Sequence, residues 1–88
     1  MIGRSWLLGI FWFRMMTERR YPVVIESTST GFSAYSPDVL GCCATGDTEE
    51  ETRQNFRDAL IEHFEVMREV GELVPEPHST VDYVEVAA

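Results

Sequence analysis

There is no lysine in this chain of 88 residues, and its whole basic complement is seven arginines against 15 acids. Affinity for nucleic acid comes largely from Lys and Arg neutralising phosphates. A formal charge of −8 therefore argues against direct binding of DNA or RNA. Cysteine is confined to the adjacent pair Cys42 and Cys43. Neither a disulfide framework nor a metal-ligand spacing with the distant His63 and His78 can be built from it, which favours a reducing, cytoplasmic setting. The six glycines are scattered singly, so no phosphate-cradling loop is present and no cofactor is implied. Long apolar runs are missing too. The stretch from Trp6 to Phe13 falls well short of the roughly 20 residues that cross a bilayer, and Arg14-Met15-Met16 supplies no small-residue cleavage site behind it.

What charge there is lies unevenly. Residues 1–20 carry Arg4, Arg14, Arg19 and Arg20 against Glu18, a formal +3, whereas residues 21–88 set Arg53, Arg57 and Arg68 against 14 acids, a formal −11. Complementary potentials speed and select encounters, so a basic protein partner fits the second region. Residues 1–16 read as an apolar extension ahead of the folded domain, either a loosely held tail or a product of start-site choice, since Met15 and Met16 stand just before the regular region. The rival reading is an apolar arm that packs on the sheet or anchors a partner, because Trp6, Phe11, Trp12 and Phe13 together would invite aggregation if left bare. A domain of about 70 residues has a thin core, and a homodimer or a hetero-complex is expected on size alone.

Regular signals begin at Tyr21. Tyr21, Val23 and Ile25 alternate with Pro22, Val24 and Glu26, the period of a strand, with proline at its start where no ladder donor is lost. The polar stretch from Ser27 to Gly31 closes a hairpin onto a second strand at Phe32 to Ser36. Pro37-Asp38 and Gly41 then turn the chain into a short third strand at Cys42 to Thr45, with one thiol packed inward and one outward.

Thr48 followed three residues later by Glu51 is a capping-box arrangement, and Glu49 and Glu50 place negative charge at the positive end of a helix. The spacing predicts a helix from Thr48 to about Val70, ended by Gly71 in a left-handed conformation. At 100° per residue, Phe56, Ala59, Leu60, His63, Met67 and Val70 share one stripe, with Phe64 and Val66 at its edges. Ile61 stands on the polar face. Pro75 and Pro77 cannot continue the helix. Val81 to Val86 reads as a last strand with apolar residues on both faces; its outer edge calls for pairing with a second copy. A helix between two strands of one sheet makes a right-handed crossover, so that strand is expected parallel to the first and beside it. The fold class is thus α+β, a single-domain β-β-β-α-β unit with the strand order 3-2-1-4 and one helix on one face.

Several chemistries are weighed and set aside. A two-metal nuclease needs acids converging from separate strands, yet most acids here fall on the first turn and outer face of the helix. Asp38 and Asp47, the exceptions, read as turn and helix-entry residues. His63 lies in the apolar stripe with Glu62 facing away, which suits a packed imidazole hydrogen-bonded to backbone or tyrosine better than a general base. No catalytic, cofactor-binding or metal-binding residue is assigned, and an enzyme is not expected.

One ordered set of residues remains: Tyr21-Pro22, Gly31-Phe32, Ala34-Tyr35, Pro37-Asp38, Gly41-Cys42, Ala44, Gly46-Asp47-Thr48, Glu50-Glu51, Asn55, His63 and Pro75-x-Pro77. In order and spacing it resembles the HicB-like antitoxins, from Tyr21 to about Val86, within a domain taken as residues 17–88. The resemblance implies a truncated RNase-H-like sheet and a partner, a HicA-like toxin, from a family of small basic ribonucleases that cleave messenger RNA with a histidine. It implies action by occlusion, with the acidic domain docked over the basic surface of the toxin. Asp38, Asp47 and Glu50, gathered around the strand bends and the helix start, are the candidate partner-binding residues. Many relatives add a DNA-binding module after the last strand; none follows Val86 here, so operator binding by this chain alone is not expected. The competing class is a solitary interaction or ligand-binding module on the same fold, without a toxin partner.

Overall fold

The period-two alternation places Tyr21, Val23 and Ile25 against a helix, as one face of a strand requires. The computed structural model describes residues 18–88; the expectations for residues 1–16 lie outside that range. Strand β1 spans Val24–Ser27, β2 Phe32–Ser36 and β3 Val39–Gly46. They form an antiparallel meander in the order β1-β2-β3. Ile25 lies opposite Ala34, and Ala34 opposite Ala44, so this cross-strand row faces the core. The register shifts between Tyr35 and Ser36. β3 is longer than expected: with Val39 opposite Ser36, it starts directly after the turn and not at Cys42.

Helix α1 spans Glu49–Glu69, with Thr48 as N-cap and Val70 as C-cap. The Thr48 hydroxyl accepts a hydrogen bond from the Glu51 amide at 3.0 Å, satisfying one of the free donors of the first turn. Gly71 has φ +80°, its amide donates to the Arg68 carbonyl at 3.2 Å, and the Glu72 amide donates to the Met67 carbonyl at 2.8 Å. This pair of bonds is the Schellman closure, which needs a left-handed residue where a side chain would be strained.

The helix crosses β3 and β2, and its start approaches the end of β3 very closely. A Cβ on Gly46 would lie 2.6 Å from the Thr52 hydroxyl and 2.9 Å from its amide nitrogen, so only glycine lets the first turn of α1 settle there. Thr52 is fully buried, its hydroxyl donating to the Thr48 carbonyl at 2.7 Å. Asn55 adds a second tie, its amide group donating to the Thr45 carbonyl at 2.9 Å.

The core is small: Ala34, Val39, Cys42, Phe56 and Phe64 are buried, flanked by half-buried Tyr21, Val23, Ile25, Ala59, Leu60 and Met67. Burying each phenylalanine contributes about 2 kcal/mol. Phe64 sits at the centre of the stripe, 5.2 Å from the Tyr21 ring, and not at its edge. Val70 is exposed, because as the C-cap it lies past the turns that face the sheet.

The fold class is α+β, a three-stranded antiparallel sheet with one helix packed on one face. The fourth strand expected over Val81–Val86 is not part of it. Among the described residues the chain from Glu72 to Ala88 forms no regular element, so the order 3-2-1-4 is not realised within this chain. A strand is stabilised by ladder hydrogen bonds and by cover on one face. Val81, Tyr83, Val84 and Val86, all exposed, have neither here.

Candidate protein-docking surface

The three residues singled out from the sequence part company in the structure. Asp38 lies in the tight turn between β2 and β3, where its amide donates to the Ser36 hydroxyl at 3.2 Å. Its side chain is completely covered. The carboxylate accepts the His78 amide at 2.9 Å, the Ser79 amide at 3.0 Å and the Ser79 hydroxyl at 2.5 Å, and the His78 Nε2 lies 3.3 Å away. Burial on its own raises the carboxyl, but the hydrogen bonds from Ser79 and the two backbone amides, together with the charge of His78, outweigh it. The group is held below the ordinary aspartate range. Asp38 thus acts inward, as a latch on the segment after the prolines. A second clasp holds the same segment: the Tyr21 hydroxyl donates to the Pro75 carbonyl at 2.7 Å.

Asp47 and Glu50 face outward. They flank the N-cap, and with Glu49 and Glu51 they form an exposed acidic rim at the start of α1. Glu50 pairs with Arg53 at 2.6 Å, an exposed i,i+3 contact that contributes little to stability and leaves the rim strongly negative. The rim stands where the helix dipole is positive, so the acids also favour the fold. Farther along α1, Arg57 and Arg68 line an open groove of 820 Å³ together with Arg19, Leu60, Ile61 and Leu73. Glu18 and Glu72 line the same groove, so its charge is mixed, whereas the first turn of α1 is acidic throughout. Ile61, read from sequence as a surface residue, is exposed at this groove.

The face of the sheet turned away from α1 escaped sequence reasoning. The register sets Val24 opposite Tyr35 and Tyr35 opposite Cys43, a row with both Tyr35 and Cys43 exposed. Strand alternation was visible, but not which of the two faces the helix would take. Cys42 points inward and Cys43 outward. Burial pushes the Cys42 thiol up, with Cys43 beside it adding to the effect, so Cys42 is a poor nucleophile. His63 is half-buried, its ring 6.3 Å from that of Phe64. Among the described residues no cluster of His, Cys, Asp and Glu could hold a metal ion, and no helix is long and apolar enough to cross a membrane.

Comparison with known proteins bears on what such a surface meets. The family model for the HicB-like antitoxin of bacterial toxin-antitoxin systems matches residues 21–87. Antitoxin HicB 2 of Photorhabdus laumondii is 35% identical over 75 residues, covering 84% of this chain and 54% of the relative. Antitoxin HicB 1 of the same organism is 39% identical over 69 residues, covering 76% and 44%. An uncharacterised 14.9 kDa protein from the rep-hol intergenic region of Haemophilus phage HP1 is 36% identical over 64 residues, covering 73% and 48%. The chain thus spans about half the length of the curated relatives it matches. A chain of the solved HicA3 and HicB3 toxin-antitoxin complex superposes with a TM-score of 0.61 at 33% identity, covering 68% of this chain and 70% of that one.

Proposed function

Because this chain belongs to the HicB-like antitoxin family of bacterial toxin-antitoxin systems, a family that is not enzymatic, we propose that it neutralises a HicA-like, messenger-RNA-cleaving toxin by docking on it and covering its RNA-binding surface. The observation that carries this reading is the match to a chain of the HicA3 and HicB3 complex, at 33% identity over 68% of the present chain. The charge supports it. A basic RNA-cleaving surface is attracted to a formal −11 over residues 21–88, and the rim of Asp47, Glu49, Glu50 and Glu51 offers carboxylates where the toxin would otherwise hold phosphates.

In this mechanism the acids bind and no group reacts. Asp47 and Glu50 steer the encounter, while Asp38 contributes indirectly by holding the segment at His78 and Ser79 against the turn after β2. The setting is cytoplasmic, where messenger RNA and toxin meet. A fourth strand beside β1 would complete the order 3-2-1-4. The test is ribonuclease activity of the cognate toxin titrated with the purified chain. Loss of cleavage at a one-to-one ratio, with no RNA cleavage by the chain alone, supports the proposal. Full toxin activity beside an excess of folded chain overturns it.

A further inference from the structure

Two features of this chain are unsatisfied in complementary ways. The first is β1, which among the described residues pairs only with β2, so its outer edge presents unpaired amides and carbonyls. The second is the segment Val81–Val86, rich in β-branched and aromatic residues suited to a pleated strand. It lies bare: Val81 is 50% exposed, Tyr83 90%, Val84 84% and Val86 76%.

The two are brought together at one point. The Asp38 latch pins His78 and Ser79, and from there Ser79, Thr80 and Val81 line a small groove with Arg20, Tyr21, Pro22 and Val23, the residues leading into β1. The segment therefore leaves the body beside the open edge, yet makes no ladder with it. Charge adds to this placement at one position. Arg20 precedes the edge, Arg19 lying already 3.8 Å from Glu76 of its own chain, and Asp82 and Glu85 lie in the segment. A donor strand and an acceptor edge carried by one chain form a self-complementary pair, which a two-fold axis satisfies twice over.

We infer that Val81–Val86 is a strand supplied in trans: in a two-fold dimer, each copy lays this segment along the outer edge of β1 of the other. The partner then contributes the fourth strand of the order 3-2-1-4. Val81 and Tyr83 lie on one face of the added strand and Val84 and Val86 on the other, so one pair is covered from the helix side while the other continues the open face of the sheet. The dimer owes nothing to the toxin and forms without it.

The experiment takes the full chain at tens of micromolar and measures its mass by sedimentation together with hydrogen exchange at the amides of residues 24–27 and 81–86. The expected result is a dimer in which both segments are protected. Val84→Pro combined with Glu85→Pro, both outside the core, removes a ladder donor whichever of the two adjacent amides faces β1. The double variant is expected to abolish both the dimer and the protection while the circular dichroism of the helix and sheet is kept. A monomer with a protected segment overturns the inference in favour of pairing within one copy. A dimer with a freely exchanging segment, or one that survives the double substitution, overturns it in favour of another interface. A monomer with a freely exchanging segment shows that no strand forms.

Discussion

Ser79 donates both its amide and its hydroxyl to the carboxylate of Asp38, at 3.0 and 2.5 Å, across 41 residues of sequence. With the His78 amide as third donor, one buried side chain satisfies itself entirely from the segment that follows the helix. Buried charge is tolerated only when it is fully hydrogen-bonded. Once Asp38 is covered, the path of residues 78 and 79 is set.

The latch makes stability depend on acid. The folded Asp38 carboxyl lies below its ordinary value of 3.8, so the unfolded chain binds more protons in the interval between the two. The contribution is therefore complete above about pH 5 and fades as pH falls through the lowered folded value. Thermal midpoints measured from neutral pH down to pH 2 should fall more steeply for the wild type than for Asp38→Asn. Parallel curves would show that the carboxylate is not the group responsible. Asp38→Asn should also loosen residues 78–88 at neutral pH, read as faster amide exchange there.

Phe56, 4% exposed, is the more sensitive side chain of the helix stripe. Phe56→Ala should cost about 3–5 kcal/mol, comparable with the roughly 3–5 kcal/mol that a core of this size supplies in total. Urea unfolding followed by circular dichroism should show an unfolded or barely folded chain. Leu60→Ala should be milder, since Leu60 is only half-buried; equal losses at the two sites would put the core in the wrong place.

Thr48→Ala removes the acceptor of the Glu51 amide and should cost about 1 kcal/mol, whereas Thr48→Ser should be close to neutral. Denaturant midpoints for the two variants provide the comparison. A serine variant as weak as the alanine variant would mean that the methyl group, and not the hydroxyl, matters.

Reversing the acidic rim should act mainly on binding. Asp47→Lys with Glu50→Lys removes two exposed carboxylates, one of them in an exposed pair with Arg53, and sets positive charge at the positive end of the helix, so stability should fall by about 1 kcal/mol and binding is compared where both proteins are folded. Association with the toxin should slow, and its rate should depend less on salt, as expected when steering charges are lost. Stopped-flow association over a range of sodium chloride concentrations measures both. An unchanged rate with an unchanged salt slope would move the docking face elsewhere.

Local chemistry determined a large part of this protein. Alternation at Tyr21, Val23 and Ile25 and the run Phe32 to Ser36 specified two strands, because side chains two apart share a face, although the ladder of the first begins only at Val24. Thr48, Glu51 and Gly71 specified both ends of the helix, because caps act within one turn of the chain. The ordered set from Tyr21 to Pro77 specified the family. Interactions between distant residues were decided by the tertiary structure. Asp38 read as a turn residue at the surface, since nothing near it in sequence reveals that His78 and Ser79 return to cover it. Phe64 read as marginal and Val70 as central, since helical periodicity gives angles around an axis but not how far the sheet extends along it. The segment Val81–Val86 has the composition of a strand, but a strand exists only with a neighbour. Its own fold leaves it without one, because ladder hydrogen bonds are made between chains in space and not along the sequence.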